Sequence, residues 1–310
     1  MTSTVLLRRS TVELLDAAAL DPEQVSELVG RALDEDLAGG TDATTAATVP
    51  AGRTDTADLV ARAGGVVAGL PVATAVFDIA GRTAAAGAGD DAGVHVELAV
   101  ADGARVRPGD VLLTVTGPTR ALLTAERTAL NLLSHLCGVA TLTRAWADSL
   151  AGTGAAVRDT RKTTPGLRAL EKYAVRCGGG QNHRMSLSDA ALIKDNHVVV
   201  AGGVAAAFAA VRRAFPDLPV EVECDSVDDV AAAVAAGADL LLLDNMDSGD
   251  LRRAAEVVQA AGRRVRLEAS GGLTLDRARA VGQTGVDYLA VGALTHSAPA
   301  LDIGMDLRGT

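Results

Sequence analysis

The chain is short of aromatic residues and cysteine, and each shortage excludes a class of protein. Six aromatic residues (one Trp, two Tyr, three Phe) and a formal net charge of −10 argue against nucleic-acid binding, which requires stacking surfaces and a basic face. Three cysteines without a CxxC pair are typical of a reducing compartment rather than of a disulfide framework. We therefore expect a cytoplasmic protein with no nucleic-acid partner.

Long apolar runs and nucleotide-binding motifs are also missing. The longest nearly uncharged run, Val198 to Val211, is shorter than a membrane span and contains Gly202 and Gly203, so we expect no membrane association. Neither GxGxxG nor GxxxxGK[ST] occurs, which leaves a dinucleotide site or a P-loop without residues. The length of 310 residues fits one large domain or two unequal ones.

Lysine is scarce and clustered. The chain has 26 arginines but only Lys162, Lys172 and Lys194, which fall within 33 consecutive residues. Where a sequence otherwise uses Arg, a retained Lys indicates a position that needs a compact point charge rather than a planar guanidinium. Chance clustering on a solvated face is the alternative.

The second half of the chain alternates short apolar segments with Ala-rich helical segments, a pattern typical of parallel βα units. We predict six strands: 156–159, 192–194, 220–224, 240–244, 266–270 and 288–292. A candidate seventh covers 184–187. This number fits a (β/α) barrel that is complete or one unit short, and an open doubly wound sheet is the alternative. The first half reads as a helix from Asp21 to Leu37, a strand-rich region and a long helix over 118–150.

Every predicted strand of the second half ends in charged, polar or glycine residues, which matters because barrel active sites form at the carboxyl ends of the strands. These ends are Asp159-Thr160-Arg161-Lys162, Lys194-Asp195-Asn196-His197, Glu223, Asp244-Asn245, Ser270-Gly271-Gly272 and Gly292-Ala293. The two glycine-containing ends stand where barrel enzymes bind a phosphate through backbone N–H groups. Glu223 and Asp244 end neighbouring strands and suit Mg²⁺ or a cationic ribosyl centre, or else they pair with Lys194 or an arginine.

Basic residues lie close in sequence to the first of these strand ends or before them. They are Arg127, Arg161, Lys162, Arg184 and Lys194, with His183 between them. So much positive charge at one site predicts a ligand with several negative groups. Phosphoribosyl pyrophosphate together with a dicarboxylate satisfies this requirement.

Several longer motifs then resemble one family. They are AERTALNLLSHLCGVAT (125–141), DTRKTTPGLRALEKYAVRCGGGQNHR (159–184), LIKDNH (192–197), EVEC (221–224), LLLDNM (241–246), EASGGL (268–273) and GVDYLAVGALTHS (285–297). Together they resemble the quinolinate phosphoribosyltransferases, type II phosphoribosyltransferases that make nicotinate mononucleotide from quinolinate and phosphoribosyl pyrophosphate with loss of CO₂. The likeness covers most of residues 25–305.

The resemblance implies an α/β fold, with an N-terminal α/β sandwich domain followed by an incomplete (β/α) barrel, in a homodimer with shared active sites. We place a flexible tail at 1–20, the sandwich domain at 21–128, the barrel at 129–298, and at 299–310 a C-terminal segment that packs back on the sandwich domain. The implied enzyme is a Mg²⁺-dependent pentosyltransferase of NAD biosynthesis.

The same resemblance implies residue roles, which agree with the positions of the strand ends. The residues implied to hold the quinolinate carboxylates are Arg127, Arg161, Lys162, His183 and Arg184. Those implied to hold phosphoribosyl pyrophosphate are Lys194, Glu223, Asp244, Ser270, Gly271, Gly272, Gly292 and Ala293. Lys162, Lys194, Glu223 and Asp244 are the implied catalytic residues, and Glu223 and Asp244 the Mg²⁺ ligands, directly or through water. Arg62 and His296 are implied to come from the partner subunit.

The sequence departs from the family pattern at 41–45 and at Ala63-Gly64, and other functions remain open at this point. A related enzyme acting on nicotinate, or a paralogue used in metal uptake, shares the scaffold, although the dicarboxylate-sized cation set argues against a monocarboxylate. From a different class, a phosphate-binding barrel aldolase would use Lys194 as a Schiff-base lysine. A silent ligand-binding protein would bind substrate without turnover.

Overall fold

The computed structural model describes residues 7–84 and 93–308, and its contacts divide the chain into two compact units. The first unit comprises Met1–Leu142, Pro165–Gly178 and Ala298–Thr310, and the second comprises Thr143–Thr164 and Gly179–Ser297. The boundary between residues 128 and 129 predicted from the sequence lies inside a helix, Thr119–Ser149, that contributes to both units.

The helices, in chain order, are α1 (Arg9–Ala17), α2 (Pro22–Leu37), α3 (Ala43–Thr48), α4 (Leu70–Ala84), α5 (Thr119–Ser149), α6 (Arg168–Cys177), α7 (Asp195–Ala201), α8 (Val204–Ala214), α9 (Val227–Ala235), α10 (Ser248–Ala260), α11 (Leu275–Gly282) and α12 (Ala293–His296). The strands are β1 (Thr54–Ala61), β2 (Gly65–Val66), β3 (His95–Leu98), β4 (Arg105–Val106), β5 (Val111–Pro118), β6 (Ala156–Arg158), β7 (Ala191–Ile193), β8 (Val220–Cys224), β9 (Leu240–Asp244), β10 (Arg266–Ser270), β11 (Tyr288–Ala290) and β12 (Ile303–Leu307).

Helix α2 forms where the sequence predicts it. Asp21 caps its first turn by accepting from the backbone N–H of Glu23 at 2.9 Å, and proline occupies the first helical position. Val25, Val29 and Leu33 recur at intervals of four and are buried. The amphipathic pattern and the cap therefore agree.

The first 20 residues are not a flexible tail throughout, because residues 9–17 form α1. Leu15 and Thr11 of this helix are buried, and the Thr11 hydroxyl donates to Asp78 of α4 at 3.0 Å. A nine-residue helix is marginal on its own in water, so packing on α4 stabilises it. The prediction was wrong here because local periodicity alone does not reveal that contact. Residues 1–6 of the predicted tail lie outside the described part.

The first unit contains an antiparallel sheet in the order β12-β1-β5-β3, and β2 pairs separately with β4. β12, from the end of the chain, pairs with β1 in a register that places Leu59 opposite Met305. The C-terminal segment thus contributes an edge strand to the unit formed mainly by the N-terminal residues. Helix α4 packs against this sheet and α1 and α2 pack against α4, so the unit is mixed α/β.

The second unit contains a parallel sheet in the order β6-β11-β10-β9-β8-β7, and all six predicted strands are confirmed. Buried aliphatic side chains such as Val222, Leu241 and Leu267 fill these strands. β6 and β7 form the two edges. No strand forms at 184–187; instead Gln181 makes a single parallel bridge to Arg158, in the place of a further barrel strand. The predicted incomplete barrel is confirmed, and the candidate seventh strand is wrong.

Among the described helices, none is long and apolar enough to cross a membrane by itself. Helices α7 and α8 pass that test of length and composition only when they are taken together, and they are bent by 89° at the break between them.

Candidate active site

The polar strand ends of the second unit lie at one edge of its sheet, because all six strands run parallel. Glu223 is the last residue but one of β8, Asp244 ends the neighbouring strand β9, and Ser270 ends β10 beside Asp244. Lys194 follows β7 as the residue before α7. The fold therefore gathers at one edge the side chains that the sequence places far apart.

Lys194 and Glu223 form an ion pair in which the ammonium Nζ lies 2.7 Å from Glu223 Oε2. Nearly half of the lysine side chain remains exposed, whereas the glutamate is largely covered. The pair is the alternative that the sequence left open for Glu223. The exposed part of Lys194 can therefore offer its positive charge to an anionic ligand.

Negative charge accumulates beside this pair. Burial and then the charges of Asp244, Asp229 and Asp195 raise the pKa of Asp225. One oxygen of Asp244 accepts from the Asn245 amide at 2.7 Å. Mg²⁺ prefers such hard carboxylate oxygens and is commonly bound by one or two of them together with substrate phosphates. Glu223 and Asp244 therefore fit Mg²⁺, which would share Glu223 with Lys194.

The loop after β10 is built for close backbone approach. Gly271 has φ +88°, and a Cβ there would lie 2.1 Å from Asn245 Oδ1, so only glycine fits. Gly272 also has positive φ, at +57°, and helix α11 begins shortly afterwards. Backbone N–H groups before a helix N-terminus attract an anion, which suits the predicted phosphate position.

Gly292 brings together two other predicted residues. A Cβ on Gly292 would lie 3.0 Å from Lys162 Cδ and 3.2 Å from His296 Nε2. The Thr295 hydroxyl donates to the Lys162 carbonyl at 2.8 Å, which fixes the lysine backbone against α12. Lys162 and His296 are both exposed, and Ala293 opens α12. A lysine and an imidazole side chain thus stand beside the glycine that precedes α12.

Two arginines stand near each other without acidic partners. Burial and then the positive charge of Arg161 lower the pKa of Arg184. Arg184 donates from Nη1 to the Ala190 carbonyl at 2.7 Å, and Arg161 Nε is buried without a hydrogen-bond partner. Neither forms an ion pair within the described residues. The charges of Glu221 and Asp189 oppose this lowering of the Arg184 pKa in part. Two close guanidinium groups that form no ion pair are a receptive site for an anion.

His183, predicted to bind substrate, is largely buried and engaged with the protein. Its Nε2 lies 2.7 Å from Glu221 Oε2, and its Nδ1 lies 2.8 Å from the backbone nitrogen of Arg184. Its side chain is 9% exposed.

Sequence reasoning missed a buried polar network beneath the strand ends, formed by Arg158, Asp159, Asn182, Glu221 and Glu268. The signal was present in the sequence. Glu221 and Glu268 stand two residues before Glu223 and Ser270, hence on the same faces of β8 and β10, and a charged residue at an inward position of a buried strand calls for a partner.

Arg62 and Arg127 belong to the first unit, and the structure therefore leaves their predicted roles untested. Arg62 follows β1, donates to Asp306 at 2.5 Å and keeps 40% of its side chain exposed. Arg127 is an exposed residue of α5. Within the first unit, a pocket of about 740 Å³ lies between α2, α3, α4 and α5, and neither arginine lines it.

Comparison with protein families gives two adjoining matches. The model for the quinolinate phosphoribosyl transferase N-terminal domain matches residues 42–137, and that for the C-terminal domain matches residues 139–306. Between them they cover most of the chain.

Individual relatives agree with these matches. The chain is 53% identical over 281 residues to a carboxylating nicotinate-nucleotide pyrophosphorylase of Mycobacterium leprae, with 91% of this chain and 96% of the relative covered. It is 38% identical to a probable enzyme of the same name from Bacillus subtilis, over 92% of this chain and 93% of the relative. The solved nicotinate-nucleotide pyrophosphorylase of Francisella tularensis is similar in fold, with a TM-score of 0.85 at 34% identity, covering 93% of this chain and 98% of the other.

Proposed function

Because the chain belongs to the quinolinate phosphoribosyltransferase family, we propose that the strand ends of its second unit bind quinolinate and phosphoribosyl pyrophosphate for a reaction between them. The enzyme transfers the phosphoribosyl group to quinolinate with decarboxylation, giving nicotinate mononucleotide, pyrophosphate and CO₂ in NAD biosynthesis. The observation that carries this function is the 53% identity, over nine tenths of the chain, to a carboxylating enzyme.

Arg161 and Arg184 bind the quinolinate carboxylates, with Lys162 beside them. The support for this assignment is that the two guanidinium groups lie close enough for Arg161 to lower the pKa of Arg184, while no carboxylate of the described chain pairs with either. A dianionic ligand relieves that repulsion. Arg127 completes the set in this proposal.

Phosphoribosyl pyrophosphate lies across the remaining strand ends. Its 5-phosphate takes the backbone N–H groups around Gly271 and Gly272 and those beside Gly292 and Ala293, and its pyrophosphate meets Lys194. Glu223 and Asp244 face the ribose hydroxyls and hold Mg²⁺. The oxygen-only donor pair and the surplus of negative charge at Asp225 support a divalent cation at this position.

The chemistry requires positioning and charge rather than a nucleophilic side chain. The lone pair of the quinolinate nitrogen forms a bond to the anomeric carbon as the bond to pyrophosphate breaks, and the departing oxygen keeps that electron pair. Glu223 and Asp244 stabilise the ribosyl cation, and Lys162 and Lys194 stabilise the pyrophosphate. Bound Mg²⁺ supplies further positive charge to the leaving group.

Decarboxylation follows from the charge of the alkylated ring. The quaternised nitrogen attracts the electron pair left on the adjacent carbon when its carboxylate leaves as CO₂. That carbon then takes up a proton, which gives nicotinate mononucleotide. Arg161 and Arg184 hold the ring in place while this bond breaks.

The direct test is incubation of the purified protein with phosphoribosyl pyrophosphate, Mg²⁺ and either quinolinate or nicotinate. We expect nicotinate mononucleotide and an equal amount of CO₂ from quinolinate, and loss of activity on chelation that Mg²⁺ restores. Product from nicotinate alone would overturn the substrate assignment. Full activity after exhaustive chelation would overturn the Mg²⁺ assignment.

A twofold homodimer with shared sites completes the proposal, with Arg62 reaching the partner's site. His296, which the resemblance also assigns to the partner, lies beside Gly292 of its own chain, so we propose that it serves its own site. The exposed fraction of Arg62 supports such a reach, although its ion pair with Asp306 has to open. The free cysteines, Cys137, Cys177 and Cys224, are in keeping with a cytoplasmic location.

Complementation tests the shared site. An inactive Arg62→Ala chain mixed with an inactive Lys194→Ala chain forms heterodimers with one doubly damaged and one intact site, so up to about a quarter of the normal site activity should return on random exchange. Subunit exchange is checked with two affinity tags. Inactive heterodimers after confirmed exchange would show that Arg62 serves its own subunit.

A further inference from the structure

A second polar layer lies directly beneath the proposed substrate site. Glu221 precedes Glu223 by two residues on β8, and Glu268 precedes Ser270 by two on β10, so each side chain lies one level deeper on the same strand face. Both glutamates are almost fully buried, at 3% and 0% exposure. Buried carboxylates are expensive unless paired, so their partners define their role.

Glu268 is paired with a cation. Arg158 of β6 donates to it from Nη1 and also stacks over the Tyr288 ring at 4.5 Å. Glu268 Oε1 lies 3.7 Å from His183 Nε2, beyond hydrogen-bond distance. His183, Glu221 and Glu268 have the donor types of a metal site, but Arg158 already supplies the positive charge there. The cluster is therefore better described as a closed salt-bridge network.

Glu221 is the residue that contacts the ring of His183. Its Oε2 is 2.7 Å from His183 Nε2, while the backbone N–H of Arg184 donates to His183 Nδ1 at 2.8 Å. A nitrogen that accepts cannot carry a proton, so the ring is protonated on Nε2, which donates to Glu221. Both ring nitrogens are thereby occupied by the protein itself.

The backbone of the same loop has a second buried anchor. Asp159, fully buried after β6, accepts from the His183 backbone N–H at 2.9 Å and from the Asn182 amide at 2.5 Å. Two carboxylates from different strands thus hold consecutive residues of the loop. The next residue is Arg184, whose guanidinium is proposed to bind substrate.

We propose that Glu221 is a positioning residue for quinolinate binding: it fixes His183 as the Nε2-protonated imidazole, and the ring in turn holds the backbone of Arg184 so that its guanidinium faces the substrate carboxylate. The proposal rests on the function proposed above. Glu221 acts through His183 and does not touch substrate. What matters at position 221 is an acceptor for the Nε2 proton, rather than negative charge.

Two variants at position 221 distinguish a role as a hydrogen-bond acceptor from a role as a negative charge. Glu221→Gln keeps a carbonyl oxygen that accepts from Nε2, whereas Glu221→Leu fills a similar volume without an acceptor. We expect Glu221→Leu to raise the KM for quinolinate about tenfold, the cost of one neutral hydrogen bond, with the KM for phosphoribosyl pyrophosphate within about twofold. Glu221→Gln should restore the KM for quinolinate to within about threefold. Glu256→Leu, at an exposed position of α10, controls for removal of an acidic residue.

Equal losses for both substrates, or a Gln variant as impaired as the Leu variant, would overturn the proposal. If Glu221→Leu does not fold, the tautomer of His183 in the unmodified protein still tests the role of Glu221. Selective ¹⁵N labelling of the five histidines at pH 8, with His183 assigned by a His183→Gln variant, should show its Nε2 protonated and its Nδ1 bare. A protonated Nδ1 would refute the role of Glu221. This spectrum needs no substrate, so its outcome is independent of the proposed reaction.

Discussion

Replacing Glu268 with Gln should change how the stability of the protein depends on pH. Glu268 is completely buried, and that burial, followed by the negative charge of Glu221, raises its pKa from 4.5 to about 7 despite the opposing charge of Arg158. Between those two values the folded protein holds a proton on Glu268 that the unfolded chain has lost. The carboxyl's contribution to stability is therefore fully present below about pH 4.5 and is lost as pH rises to about 7.

The size of the effect follows from the shift. At about 1.4 kcal/mol per pKa unit, the loss across this range is roughly 3 kcal/mol. Gln has nearly the same shape, offers Arg158 a carbonyl acceptor and carries no titrating proton. The difference in unfolding free energy between Glu268→Gln and the unmodified protein should thus move in favour of the variant by about that amount between pH 4.5 and pH 8.

Urea unfolding at fixed protein concentration, at half-unit steps from pH 4.5 to pH 8, measures this difference. Glu256→Gln, at an exposed position of α10, is the matched control, and its profile should run parallel to that of the unmodified protein. A Glu268→Gln profile that is also parallel would refute the reasoning, because it would mean that Glu268 is ionised in the folded state throughout the range.

Three further results follow from the site. Arg161→Ala should weaken quinolinate binding by about 2–5 kcal/mol in calorimetric titration without unfolding the protein, and unchanged affinity would remove Arg161 from the site. Glu223→Gln and Asp244→Asn should lower kcat more than substrate affinity, because their charge matters most as the ribosyl cation develops; a raised KM at constant kcat would make them binding residues only. Gly271→Ala should abolish phosphoribosyl pyrophosphate binding, since the added methyl would collide with Asn245, and normal binding would place the phosphate elsewhere.

The elements that could be predicted from the sequence are those whose determinants are local. Helix α2 is marked by its Asp21 cap and by buried residues at intervals of four, and both features lie within the segment itself. The parallel strands follow from apolar segments alternating with helical ones. Their polar ends are predictable in turn, since parallel strands end at one edge of a sheet.

The features that escaped prediction depend on partners distant in sequence. The C-terminal segment was expected to pack on the first domain but not to form a strand, and β12 exists because it pairs with β1, about 250 residues earlier. Helix α1 is stabilised by Asp78 and its neighbours on α4. Gln181 bridges Arg158, whereas the candidate seventh strand was placed a few residues later, at 184–187. In each case the deciding contact is tertiary, and intrinsic propensity gives only a weak indication of it.

The candidate site shows the same division. The residues at the strand ends could be predicted, because the alternation of strands and helices shows where each strand ends. The network of Glu221, Glu268 and Arg158 beneath them was not predicted. A buried ion pair has no local pattern, since Arg158 on β6 and Glu268 on β10 are 110 residues apart in the sequence. The single local sign is a glutamate at an inward-facing position of an otherwise aliphatic strand.

The two layers differ in how their charge is balanced, and we expect that difference to govern the choice of substrate. In the lower layer each carboxylate has a partner from the chain, whereas in the upper layer Arg161 and Arg184 have none among the described residues and repel each other. A ligand that brings two carboxylates neutralises both guanidinium groups. A ligand with one carboxylate leaves a desolvated guanidinium unpaired, at a cost of about 2–5 kcal/mol. We therefore expect the protein to bind quinolinate more tightly than nicotinate, and equal affinities in calorimetric titration would refute this role of the two arginines.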